Sequence, residues 1–348
     1  MNRTTQLESK TAFGEVFTDH MILAEWQEDR GWTDIQVLPF GDLHLSPSAT
    51  VLHYGQAVFE GLKAYRQPDD SIALFRPEHN AARLAASARR LAMPELPTAL
   101  FLRAVTALVS VDHRWVPSQD GHTLYVRPFL LGNEGRLGVG PARRATFHVI
   151  ASPSGDYFAN AQAGLRLFVS REFSRAGVGG TGAAKCGGNY AASLLPQREA
   201  QSRGCHQVLY SVERDGRRFV DECGTMNIFA VRDDGRLLTP ELGTVLDGVT
   251  RRAVLELAAG RGMSPLETHI ELESFLVDCA EGRITEVFAT GTAATLAPVT
   301  HLVDGSQEVA ISGADAGPVT VALREELLGI QFGTLPDAHG WLLPVPTK

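Results

Sequence analysis

The chain has 348 residues, 44% of them hydrophobic and 21% charged, which gives enough apolar surface for a large core and argues against disorder. A net charge of −8 and a pI near 5.8 argue against nucleic acid or an anionic membrane as the main partner. No window approaches the roughly 20 apolar residues of a membrane span, and at roughly 150 residues per domain the length predicts two domains.

The opening MNRTTQLESK lacks the apolar core of a signal peptide. Cys186, Cys205, Cys223 and Cys279 form no C-x-x-C pair and no zinc spacing, so a reducing cytoplasm is the expected setting. The eleven histidines contain no H-E-x-x-H, and no metal site is expected. FGEVFTDHMILAEW and GWTDIQVLPFG read as extended segments. SIALFRPEHNAARLAASARRLAMP passes from strand to helix, with Leu84, Ala88 and Leu91 on one face and Pro94 as the stop. A second helix is expected around Phe101, Val105 and Leu108, followed by the strands HTLYVRPFLLG and RRATFHVIAS.

The small, polar stretch SPSGDYFANAQAG reads as a linker. The expected division is therefore a smaller N-terminal α+β domain over 1–153, a linker over 154–166 and a larger C-terminal α+β domain over 167–348. In the second half, QVLYSVERDGRRFVDE and NIFAVRDDGRLLTP each hold Asp-Gly between apolar runs and predict two hairpins.

GVGGTGAAKCGGNY, residues 177–190, is the chemically suggestive stretch. Gly177 to Gly182 matches the G-x-G-x-x-G of a dinucleotide fold, but that fingerprint needs its third glycine to open a helix, and Gly182 leads into Ala-Ala-Lys-Cys-Gly-Gly. A P-loop requires Gly-Lys-Ser/Thr in succession, whereas two alanines part Gly182 from Lys185 and Cys186 takes the hydroxyl position. The remaining reading is a lysine presented as a reactive amine. Gly187-Gly188, then Asn189-Tyr190 and an apolar run, suggest a buried turn that opens a helix and desolvates Lys185, the condition for a Schiff-base lysine.

KCGGNYAASLLPQREAQSRGCHQVLY, VDECGTMNIFAV, TPELGTVLDGVTRRAVLELA and EVFATGTAATLAPV together resemble the branched-chain amino-acid aminotransferases of the fold-type IV pyridoxal-phosphate enzymes. FTDHMILAEW, LHYGQAVFEGLKAY, FRPEHNAARL, LYVRPFLLGNEGRLGV and GIQFGTLPDAHGW agree, so the resemblance covers nearly the whole chain in the family's order. It implies a two-domain α+β fold with pyridoxal 5'-phosphate between the domains, and a transaminase that exchanges amino groups between leucine, isoleucine or valine and 2-oxoglutarate. It also implies a homodimer in which each site takes a loop from the partner subunit.

By the same resemblance, Lys185 holds the cofactor covalently and shuttles the proton, Glu222 pairs with the ring nitrogen, and Tyr190 binds the ring hydroxyl oxygen. Asp221, one residue earlier, is the competing carboxylate. The phosphate falls to Arg83, to the backbone of Val249 and Thr250 after Gly248, and to Thr292, with Leu246 packing on the ring face. Leu-Asp-Gly replaces the Leu-Pro-Gly of many relatives and brings a negative charge close to that loop. Tyr54, Phe59, Tyr125 and Arg127 match the substrate pocket, Tyr54 with the N–H groups of Thr292 and Ala293 taking one carboxylate and Arg127 with Tyr125 the second. A C-x-x-C found after G-T-A in some animal relatives is replaced by Gly-Thr-Ala-Ala-Thr-Leu-Ala, so no thiol switch is expected. D-amino-acid aminotransferases and aminodeoxychorismate lyases share the fold and are the nearest rivals; a nucleotide-binding oxidoreductase resting on Gly177–Gly182 is the rival of another class.

Overall fold

The computed structural model describes residues 13–155, 164–311 and 316–347. The reading of MNRTTQLESK lies outside the described residues, as does most of the 154–166 linker. Of that linker's described ends, Ser154 closes one strand and Leu165 opens the next.

The chain forms two compact units. The first is Met1–Tyr157 with Ala184–Gly187 and Gly329–Lys348; the second is Phe158–Ala183 with Gly188–Leu328. A division into consecutive halves is thus corrected at two places. The four residues around Lys185 return to the first unit because Cys186 bridges Val58 and the Lys185 carbonyl accepts from the Phe59 amide at 3.0 Å. The C-terminal residues return because their last strand adds an edge to the first sheet.

The first unit carries strands β1 (His20–Gln27), β2 (Gly31–Trp32), β3 (Gln36–Pro39), β4 (Ala57–Phe59), β5 (Leu62–Arg66), β6 (Ile72–Phe75), β7 (Thr123–Gly132) and β8 (Arg144–Ser154), with helices α1 (Thr50–Tyr54), α2 (Pro77–Arg90) and α3 (Thr98–Val111). The second carries β9 (Leu165–Val169), β10 (Gln207–Arg214), β11 (Arg217–Cys223), β12 (Asn227–Arg232), β13 (Arg236–Pro240), β14 (Ser264–Thr268), β15 (Ile284–Gly291), β16 (Thr295–Asp304) and β17 (Gln307–Ala310). Its helices are α4 (Gly187–Ala192), α5 (Leu194–Ser202), α6 (Val249–Gly260) and α7 (Leu272–Ala280), and α8 (Pro318–Gln331) leads to the closing strand β18 (Leu342–Val345).

Each unit is built on a nine-stranded sheet, and with the helices this makes the α+β class expected from the sequence. The first runs β18-β6-β5-β7-β8-β1-β2, with β3 on β1 and β4 on β7. α2 and α3 bury Ala81, Leu84 and Ala88, and Phe101, Val105 and Leu108, against it, following the helical spacing of the sequence. α2 ends at Arg90 and not at Pro94, because the chain turns off through Ala92 at φ 51°. The second runs β11-β10-β9-β16-β15-β12-β13-β14, with β17 on β16. Both expected hairpins are present: Asp215-Gly216, at φ 49° and 74°, joins β10 to β11, and Gly235 at φ 81° turns β12 into β13.

Strand β8 carries one buried base. His148 stacks on Phe129, its cross-strand partner, with ring centroids 5.1 Å apart, and its Nδ1 has no hydrogen-bond partner. Burial lowers its pKa to about 4. The unfolded chain therefore takes up a proton near pH 6.5 that the folded chain refuses until about pH 4, so stability is full above this window and falls through it. The expected slope is on the order of 1.4 kcal/mol per pH unit, and His148→Phe should flatten it. Thermal midpoints recorded from pH 7 to 4 for both proteins check this; parallel curves would remove His148 as the cause.

Candidate active site

In the first unit, β4 and the chain after it gather the expected residues around Lys185. Its amide donates to Ser87 Oγ at 2.9 Å and its carbonyl is held by Phe59, so the main chain is pinned on both sides before the side chain begins. The Phe59 ring meets two cations, Lys185 Nζ at 4.6 Å and Arg127 Cζ at 4.8 Å from its centroid. Arg127 also lies 5.2 Å from the Tyr125 ring and donates from Nη2 to the Tyr125 hydroxyl at 3.1 Å. Gly61 has to be glycine, because a Cβ there would overlap that hydroxyl.

Lys185 as a residue is half-buried, but its amine end is crowded. Burial, helped by the neighbouring Arg83 and Arg127 charges and opposed by Tyr125 and Glu60, lowers its pKa to about 8. About a tenth of such amines are neutral at pH 7, against well under a thousandth for an ordinary lysine. Arg83 is itself fixed: its Nε and Nη2 fork onto Glu60 Oε1 and Oε2 at 2.7 and 2.8 Å, and Glu60 also accepts from Asn80 Nδ2 at 2.7 Å and from the Gly61 amide. Tyr54 stands apart on α1, exposed, with its hydroxyl donating to the Leu137 carbonyl.

The second unit gathers the remaining residues around Asn227. Its Nδ2 donates to Glu222 Oε1 at 3.0 Å and to the Leu246 carbonyl at 2.8 Å, while the Leu246 amide donates to the same Glu222 oxygen at 2.8 Å. Glu222 is 2% exposed. Gly248 caps α6 with no side chain bonded to the helix end, and a Cβ on it would strike Asn227 Oδ1. The first N–H groups of α6, at buried Val249 and Thr250, receive no side-chain cap from Gly248, and a helix start of this kind favours anions. The extra charge of Asp247 is met by Arg252, five residues on, which forks onto both carboxylate oxygens. Thr292 and Ala293 lie in the turn from β15 to β16, two and three residues beyond Thr290, the register partner of Asn227.

The glycine-rich loop has a packing explanation. Gly177–Gly180 is a hydrogen-bonded turn with Gly179 at φ 73°, and a Cβ on Gly182 would run into the Thr244 carbonyl. Asn189 ties the loop down through both the hydroxyl and the carbonyl of Thr181, which sets the position of Tyr190 on α4. The helix opens at Gly187 and not at Gly182, so a dinucleotide pyrophosphate would find no helix end at the third glycine. Glu60, Ser87, Asn80, Asn227 and Thr244 belong to these arrangements without having been singled out in the sequence. Glu60 lay in plain view within FEGLKAY, but only its partner Arg83 makes its role visible.

Pyridoxal phosphate needs an amine that can lose its proton, a cradle for a phosphate and a carboxylate for the ring nitrogen. Taken each by itself, the first unit holds such an amine at Lys185, and the second holds a helix start without a side-chain cap at Gly248 and a buried carboxylate at Glu222. The chemistry of this donor set fits the group. Among the described residues no cluster of His, Cys, Asp and Glu could hold a metal ion, and no helix is long and apolar enough to cross a membrane.

The family model described as amino-transferase class IV matches residues 57–302. A branched-chain-amino-acid aminotransferase of Mycobacterium tuberculosis is 50% identical over 335 residues, covering 95% of this chain and 91% of that protein. Among solved structures, the Escherichia coli branched-chain amino acid aminotransferase superposes with a TM-score of 0.78 at 27% identity, over 94% of this chain and 100% of that one. The T.th. branched-chain amino acid aminotransferase with pyridoxamine 5'-phosphate gives 0.76 at 29% identity, over 93% and 98%.

The low pKa of Lys185 makes a direct prediction. Labelling of the protein by a small aldehyde and a hydride reductant should modify Lys185 with a midpoint near pH 8, the neutral fraction rising with pH, while surface lysines react near their usual value about two units higher. Peptide mass spectrometry across pH 6–11 reads it, and a common midpoint for all lysines would contradict the desolvated site.

Proposed function

We propose that this chain, which belongs to the class IV amino-transferase family, is a pyridoxal-phosphate-dependent transaminase that moves an amino group between leucine, isoleucine or valine and 2-oxoglutarate. The observation that carries this reading is Lys185, a pinned lysine with a lowered pKa, in a chain about half identical to branched-chain aminotransferases over 95% of its length. When bound, pyridoxal phosphate acts as the electron sink for a substrate bond at Cα.

Lys185 would hold the cofactor covalently and, once displaced by substrate, carry the proton away from Cα, a positioned transfer typically contributing 10²–10⁴-fold. Its lowered pKa favours that exchange near neutral pH. Glu222 would keep the ring nitrogen protonated, and Tyr190 would bond the ring hydroxyl oxygen. Val249 and Thr250 after Gly248, with Thr292 and Arg83, would take the phosphate, and Leu246 would cover the ring face.

Substrate selection has to admit an apolar side chain in one half-reaction and a carboxylate in the other. Phe59 and Tyr125 offer apolar faces. Arg127, stacked on both rings and bonded to the Tyr125 hydroxyl, adds a guanidinium without exposing a bare charge to the apolar substrate. Tyr54 with the amides of Thr292 and Ala293 would take the α-carboxylate. The rival fold-type IV reactions are disfavoured by the branched-chain relatives, and a nucleotide site by the packing of Gly182.

Homodimerisation fits the first unit, where Leu52, Leu137 and Val139 are 58%, 69% and 84% exposed and Tyr54 ties α1 to the loop bearing the latter two. We take 154–166 as the linker between the domains, small amino and 2-oxo acids as the partners, and the cytoplasm as the location; a net charge of −8 gives no basis for nucleic acid or membrane binding.

The near-ultraviolet and visible spectrum of the loaded protein tests the reading. Absorbance of the lysine-bound cofactor should fall on adding leucine and return with 2-oxoglutarate. Lys185→Ala should stay folded and lose turnover by at least about 10²-fold, and Glu222→Ala should slow the half-reaction far more than it shifts unfolding. A protein that takes up no cofactor, or a Lys185→Ala variant as active as wild type, ends the proposal.

A further inference from the structure

Just upstream of the glycine-rich loop lies a buried cation outside the sequence motifs. Arg175 is 7% exposed, and Asp221 and Glu222, adjacent in β11, are 1% and 2% exposed. Its Nε stands 2.6 Å from Glu222 Oε2 and 4.0 Å from Asp221 Oδ2, an ion pair with the first whose N–H is not aligned as a hydrogen bond. Nη2 donates to the carbonyls of Gly182 at 3.0 Å and Thr244 at 2.6 Å, so the same guanidinium joins the glycine-rich loop to the segment before α6.

Two buried carboxylates thus share one buried guanidinium. Were both ionised, one negative charge would be left without a close counter-ion in a dry setting, and buried groups in that position take up a proton instead. The donors decide which one. Glu222 Oε1 receives the Asn227 amide group and the Leu246 N–H, and Oε2 faces Arg175. Asp221 receives only the Thr244 hydroxyl, at 2.5 Å on Oδ1, and its Oδ2 is buried without a hydrogen-bond partner.

We propose that Arg175 is a positioning residue that holds Glu222 as the charged carboxylate, while Asp221 beside it carries the proton. Burial raises the Asp221 pKa against the pull of Thr244, Arg175 and the more distant Arg214. The other titratable groups around the cluster are Tyr210, whose buried hydroxyl has no hydrogen-bond partner, and Cys223; burial pushes both upward, so neither offers a charge at neutral pH. Resting on the function proposed above, this assigns the ring-nitrogen role to Glu222 and removes Asp221 as its competitor. It also makes Arg175 the link that keeps that anion fixed while holding the Gly182 and Thr244 carbonyls.

Infrared spectroscopy of the cofactor-free protein tests the charge assignment without any turnover. At pH 7 the wild-type-minus-Asp221→Asn difference should contain the C=O band of a protonated carboxyl group, and Asp221→Asn, which keeps an acceptor for Thr244, should unfold at the wild-type temperature. A difference that shows only ionised-carboxylate bands overturns the proposal. Arg175→Met should add a second protonated-carboxyl band, and Arg175→Lys should not; Arg175→Lys and Asp221→Asn suffice if the methionine variant does not fold. In the loaded enzyme, the rate constant of the leucine half-reaction should fall at least about tenfold in Arg175→Met, the equivalent of one pKa unit of lost charge stabilisation, with partial recovery in Arg175→Lys. Equal rates in all three would overturn the positioning role. Because the infrared result does not depend on leucine, a protein that failed to transaminate but kept the Asp221 band would refute the function and leave the charge assignment standing.

Discussion

A carboxylate taken out of water must be met by enough donors to replace its hydration, and both units of this protein are organised around one such group. Removing a partner from a buried pair typically costs about 3–5 kcal/mol, because the charge left behind has nowhere to go. Glu60, fully buried, collects the Arg83 fork, Asn80 and the Gly61 amide; Glu222 collects Asn227, the Leu246 amide and Arg175. In each case some of the partners come from segments well apart in sequence, Asn80 and Arg83 for Glu60, Arg175 and Leu246 for Glu222. Satisfying the carboxylate and bringing those segments together are therefore one event.

The two cations differ in what they do next. Arg83, once forked on Glu60, is still close enough to Lys185 to lower its pKa, second only to burial. A pair that neutralises itself would have little far-field effect, so burial of the amine has to come first and the arginine sharpens it. Arg175 uses its remaining hydrogen-bonding capacity on two carbonyls, Gly182 and Thr244, that approach so closely that glycine is required at the first. Gly182 thus serves the packing of a cation against backbone.

Most of the elements were legible in the sequence because local signals were strong: the i, i+4, i+7 face of α2, the Asp-Gly turns of the two hairpins and the Gly-Val-Thr opening of α6 all act within a few residues. The end of α2 was misplaced because a left-handed residue, Ala92, stopped it before the proline could. The return of 184–187 and of the C-terminal strand to the first unit was invisible for a different reason. Strand pairing across long separations leaves no periodicity in either segment. Side chains with titratable or charged groups of their own, Lys185, Glu222 and Arg127, could be named from motifs. Asn227, Ser87, Glu60 and Arg175 act by what they hold, and a holding residue is identified only by its partner.

That asymmetry bears on Asp221 and Glu222, which the sequence offers as equal candidates. Both are acidic, adjacent and buried to the same degree, so neither composition nor burial can separate them. Only their partners do: the Asn227 amide, the Leu246 N–H and the Arg175 ion pair meet one, the Thr244 hydroxyl the other. A strand turns successive side chains to opposite faces, so neighbours in sequence meet different partners, and a residue such as Thr244 can hold one carboxyl while the amide two residues later, at Leu246, holds the next. Which of the two carboxyls collects more of the donors is then set by the loop before α6 rather than by the acidic pair.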